Sequence, residues 1–105
     1  MIDQLKKLGF KDREARILDY LFKHKSCTMR NIELDLVIRQ PEVSITIKKF
    51  KDLGWVNIER KKCKGKGRPF YVLTLNESKV KKDILDFINK SIKELQKVKK
   101  ELKWK

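Results

Sequence analysis

Apolar residues recur every three or four positions through the first half of the chain, alternate in the middle, and return to helical spacing at the end. Ile2, Leu5 and Leu8 mark a short helix stopped by Gly9. Ala15, Leu18, Leu21 and Phe22 predict a second helix, with Asp12 as its N-cap and Lys23, His24 and Lys25 at its negative end. Ser26, Cys27 and Thr28 interrupt the pattern, with room for a very short strand, and Thr28 can cap a third helix carrying Met29, Ile32 and Leu36. Pro41 suits a first helical position, and Val43, Ile47, Phe50 and Leu53 share one stripe over 41–53, with Thr46 at its edge and Gly54 as the stop. β-Branched residues lower helix propensity here, but the periodicity outweighs them. "WVNIER" and "FYVLTL" then read as strands, and the glycine-bearing "KKCKGKGRP" between them reads as a hairpin tip. Asn76 to Ser78 offers caps for a last helix over 78–104, holding Ile84, Phe87, Ile88, Leu95, Val98 and Leu102. Such a helix spans about 40 Å, too long for a domain of this size to bury.

The expected class is α+β, mostly α, with a short N-terminal helix, three short helices, a two-stranded wing and a long C-terminal helix. That order is the winged helix-turn-helix arrangement. Two units are expected: 1–77 as a winged-helix domain including the N-terminal helix, and 78–105 as a dimerisation helix. Residues 10–75 resemble archaeal and bacterial winged-helix transcription regulators of the MarR, ArsR and TrmB type. The resemblance rests on "REARILDYLF", "RQPEVSITIKKFKDLGWV" and "KGKGRPFYVLTL", of which the middle piece is the most specific. It implies specific binding of duplex DNA by a homodimer.

Charge points the same way. The 105 residues hold 28 basic and 14 acidic side chains, a net charge of +14 that attracts polyanions, nucleic acid first. With the apolar stripe of 41–53 turned inward, the opposite face presents Glu42, Ser44, Ile45, Lys48, Lys49 and Asp52, flanked by Lys51. A helix of this width fits the major groove. Ser44 can donate or accept at a base edge, Ile45 suits a thymine methyl or a domain contact, and Lys48, Lys49 and Lys51 suit phosphates. Glu42 either accepts from a cytosine amine or simply favours the helix N-terminus. Arg39 and Gln40, in the turn, are candidates for backbone or base-edge contacts.

From Arg60 to Arg68 six of nine residues are basic, and Gly65 and Gly67 permit close approach to DNA. Lys62, Lys64, Lys66 and Arg68 are therefore the wing's candidate DNA ligands, with Arg68 foremost for a narrow A·T-rich minor groove. "KGRP" resembles the "RGRP" core of an AT-hook, which targets the same groove. Ile84, Ile88, Leu95, Val98 and Leu102 keep a three–four alternation broken only by Ser91, which suits a helix pair between two protomers. The competing arrangement is a helix folded back on its own domain.

Other chemistries fail on residue type or spacing. The glycines of the basic loop are two apart and precede a strand, unlike a P-loop. Cys27, Cys63 and His24 are too few for a zinc site, and a single His without a nucleophile–base pair gives no catalytic set, so neither enzyme activity nor a cofactor is expected. Both cysteines read as reduced thiols, although Cys63 among cations has the setting of a redox switch. No apolar run spans a membrane and no secretory signal is visible, so the expected setting is cytoplasmic. Two further readings compatible with the fold are a non-specific architectural DNA protein and a protein- or RNA-binding adaptor.

Overall fold

The computed structural model describes residues 2–62 and 70–103. Among the described residues, five helices and three strands follow one another as α1 (Ile2–Lys7), α2 (Asp12–His24), β1 (Ser26–Thr28), α3 (Met29–Leu36), α4 (Gln40–Asp52), β2 (Val56–Lys61), β3 (Phe70–Leu75) and α5 (Glu77–Lys103). The strands form one antiparallel sheet in the order β1-β3-β2, so the short strand joins the wing hairpin. Leu73 is the shared register point, opposite Cys27 on one side and Ile58 on the other. Ile17, Leu18 and Leu21 of α2, Ile32 of α3, Val43, Ile47 and Phe50 of α4, and Leu73 of β3 close the core. Each such side chain contributes about 1.5–3 kcal/mol of burial.

Local signals explain most boundaries. At the start of α3 the Thr28 hydroxyl accepts from the Asn31 backbone N–H at 3.1 Å, while the Asn31 side-chain oxygen accepts from the Thr28 N–H at 2.9 Å. This reciprocal cap satisfies two otherwise orphaned donors. Arg39 precedes α4, whose first turn holds Pro41. Gly54 takes φ +77, which lets Trp55 turn back and donate its N–H to the Phe50 carbonyl at 2.9 Å.

Four expectations need correction. The N-cap of α2 is Lys11, not Asp12. Glu14 at the third helical position accepts the Lys11 backbone N–H at 3.0 Å, while Asp12 in the first turn reaches Lys6 at 3.4 Å. Leu53 is not part of the buried stripe, because the end of α4 runs past the core and leaves it exposed. The strand reading of "FYVLTL" places at least one of Phe70 and Tyr71 toward the core, yet both are exposed, because the outer end of β3 pairs only with Lys61 and Arg60 of β2. The fourth concerns Ile84, which packs against the domain's own core.

Ile84 does so because the root of α5 is fastened to that domain. Val80 is fully buried, and the Trp55 indole N–H donates to Asp83 Oδ2 at 2.7 Å. Lys79 holds the other oxygen of Asp83 at 3.0 Å. These bonds keep the Asp83 carboxyl below its ordinary pKa, the Trp55 hydrogen bond first and Lys79 second. Trp55 itself stacks on Phe50 at 5.5 Å between ring centroids and tilts against Phe10 at 6.0 Å. The rest of α5 projects outward, and the molecule measures 71 × 25 × 20 Å.

Candidate nucleic-acid interface

Helix α4 is held by Val43, Thr46, Ile47 and Phe50, all buried, and Thr46 donates its hydroxyl to the Glu42 carbonyl at 3.0 Å. Burial of that stripe turns Ile45, Lys48 and Asp52 outward. Ile45 is 70% exposed, a large apolar side chain in water on a helix whose inner face is already filled. Ser44 lies beside it, half-buried, with Gln40 donating toward its hydroxyl at 3.4 Å. Arg39, Gln40, Lys48 and Lys51 are exposed.

The two flanks of α4 differ. Glu42 pairs with Arg13 at 3.0 Å and Lys49 donates to Glu14, and both partners belong to α2. Burial pushes the Glu14 carboxyl up, but hydrogen bonds from Lys49 and from the Lys11 backbone outweigh it and hold the group below the usual glutamate range. Lys49 is therefore engaged within the domain, unlike Lys48 one position earlier. Glu42 is likewise occupied by Arg13 rather than turned toward a base edge.

Helix α3 is locked against α2 by two further bonds. Arg16 donates to the Leu36 carbonyl at 2.7 Å, and the Tyr20 hydroxyl donates to Asp35 at 2.6 Å. Burial and the Asp35 carboxylate push the Tyr20 phenol up to about 12. Between α3 and α4 stands Val37, 88% exposed and in the left-handed region at φ 53, ψ 54. A β-branched residue is a poor occupant of that conformation. Sequence periodicity did not single out Val37, since a lone exposed valine in a turn carries no pattern.

In the wing, Lys62 is exposed at the end of β2, while Lys61 reaches Glu59 at 3.2 Å. Lys64, Lys66, Arg68 and Cys63 lie outside the described residues. Cys27 is buried within β1, and burial with the nearby Asp35 charge pushes its thiol up to about 11, which suits an inert thiol. His24 sits at the end of α2 with its ring 4.0 Å from that of Tyr20, centroid to centroid.

Of the expected pairing residues on α5, Ile88 is half-buried, whereas Leu95, Val98 and Leu102 are exposed. Leu85, Phe87 and Ile92 widen this uncovered apolar face. Among the described residues no helix is long and apolar enough to cross a membrane.

The sequence of residues 5–79 matches the family described as "Sugar-specific transcriptional regulator TrmB". No curated protein matches the chain at a significant level. Among solved structures, a possible transcriptional regulator from Methanosarcina mazei Go1 superposes with a TM-score of 0.69 at 12% identity, covering 90% of this chain and 80% of that one. A transcriptional regulator homologue from Pyrococcus horikoshii OT3 gives a TM-score of 0.57 at 16% identity, covering 89% of this chain and 97% of that one. Both share the winged-helix fold.

Proposed function

Because the chain belongs to the TrmB family of transcriptional regulators, we propose that it binds specific sequences of double-stranded DNA as a homodimer in the cytoplasm. The exposed face of α4 enters the major groove. Ser44 and Ile45 meet base edges, Ile45 against a thymine methyl, while Lys48, Lys51, Arg39 and Gln40 hold the sugar–phosphate backbone. Lys62, with Lys64, Lys66 and Arg68 of the wing, lies along the minor groove. Two protomers pair through Ile88, Leu95, Val98 and Leu102 of α5, whose three–four spacing fits a helix pair.

The observation that carries this reading is Ile45, 70% exposed between Ser44 and Lys48 on the outer face of α4. Neutralising phosphates releases counterions, so duplex affinity should fall steeply with salt, with a log–log slope of about −0.9 per phosphate contacted. After selection of a preferred duplex, Ile45→Ala should lose about 1 kcal/mol on it, roughly fivefold, and much less on a scrambled duplex. A flat salt slope would remove the DNA reading altogether. The net charge of +14 supports a second reading, non-specific architectural binding. Equal affinity for selected and scrambled duplexes would favour it.

A further inference from the structure

A cavity of about 400 Å³ lies between the α1–α2 turn, the C-terminal end of α4 and the root of α5. Its wall is largely apolar, with Phe10, Leu53, Trp55 and Phe87 among the lining side chains. Leu53 and Phe87 are about half exposed at its edge, so the fold leaves apolar surface around the opening. The volume is within the usual range for a small-molecule pocket.

The charges lining it run against the rest of the molecule. The chain carries +14 overall, yet Glu14, Asp83 and Asp86 face the cavity against the one lysine Lys49. Glu14 is committed to Lys49, and Asp83 to Trp55 and Lys79. Asp86 has no ion-pair partner among the described residues. Its exposed carboxylate, with Lys82 and Lys90 one turn away on either side in α5, therefore stands unpaired beside an aromatic and aliphatic wall. We propose that this cavity is a binding site for an amphipathic organic cation, its apolar body against Phe10, Leu53, Trp55 and Phe87 and its ammonium group at Asp86.

The chemistry separates this occupant from others. An anion would find Lys49 and Lys79 already engaged by carboxylates and would be repelled by Asp86. A polyhydroxylated ligand would leave hydroxyl groups unpaired against the apolar wall, at a cost for each. An ammonium group gains the Asp86 charge and the faces of neighbouring aromatic rings. An occupant touches both the helix proposed for the major groove and the helix proposed for pairing.

The test uses the full chain without DNA, so it is independent of the DNA reading. 2-Phenylethylammonium is titrated while the Trp55 indole N–H is followed by NMR, with Trp104→Phe used to assign the signal. Its neutral and anionic counterparts, 2-phenylethanol and 3-phenylpropanoate, are titrated alongside. A saturable shift with the cation is expected, at least tenfold tighter than with either counterpart. Asp86→Asn should weaken the cation about fivefold and leave the alcohol unchanged. No saturable shift, as would result from a second copy covering the cavity, overturns the proposal. Equal binding of the anion, or indifference to Asp86→Asn, overturns it as well.

Discussion

The two halves of α5 carry the same apolar spacing and meet opposite fates. At the root Val80 is fully buried, Ile84 packs on the core and Asp83 is held by Trp55 and Lys79. Farther along, Leu95 is 67% and Leu102 68% exposed. One helix is thus a structural member of its domain at its root and an uncovered apolar surface over its distal half. A three–four repeat says that a face exists; what covers that face depends on which atoms of the folded chain can reach it. Lys48 and Lys49 repeat the contrast at the scale of one residue, since only Lys49 faces α2.

The sharpest way to break the comparison is to place the same charge in each half. Val80→Asp buries an uncompensated carboxylate and should cost about 3–5 kcal/mol, measured by urea unfolding. Leu95→Asp should leave the stability of the isolated protomer within about 0.5 kcal/mol, yet convert a dimer to monomers in light scattering. If Leu95→Asp unfolds the protomer, the distal half is not the free surface described.

Acid should act on the root rather than the distal half. The folded-state pKa values of Asp83 and Glu14 lie below their ordinary values of 3.8 and 4.5. In that range the unfolded chain binds more protons than the folded one, so stability from these groups is complete above about pH 5 and drains away as pH falls further. The urea midpoint should drop between about pH 5 and pH 3, and Asp83→Asn should flatten part of that dependence.

The adjacent lysines provide the next test. Lys49→Ala strips Glu14 of its partner and should cost about 1 kcal/mol of stability, with little change in the salt slope of DNA binding. Lys48→Ala should leave stability intact and make the slope shallower by about one phosphate. Reversal of these outcomes would exchange their roles. The smallest effect is expected at Val37. Its left-handed conformation costs about 1–2 kcal/mol, and glycine there would give back about 0.5–1 through the flexibility of the unfolded chain. Val37→Gly should therefore raise stability by about 0.5 kcal/mol in urea unfolding.

Much of this was legible in the sequence because the informative signals are local. Thr28 caps α3, Gly54 ends α4, and "FYVLTL" coincides with β3. The outward set of Ile45, Lys48 and Lys51 follows from the inward stripe of the same helix. The misplaced side chains depend on distant partners. Lys49 and Glu14 are 35 residues apart, and Trp55 and Asp83 are 28 apart, so no wheel drawn for one helix reveals either bond. Ile84 obeys the same three–four repeat as Leu95, and only the position of the core decides between them. Phe70 and Tyr71 have strand-like chemistry, but a hairpin that extends past its helices has nothing to bury them against.

The fastened root gives α5 a mechanical character. From Ile84 the helix continues rigidly for about 30 Å at 1.5 Å per residue. Tilting its root by roughly 5° would carry the far end about 3 Å, by the geometry of a rod of that length. The hydrogen bond between Trp55 and Asp83 sits at the fulcrum of that lever. A displacement too small to disturb the packing of the domain would be magnified at the tip, so the spacing between anything fixed to the two ends is set by a few atoms at the pivot.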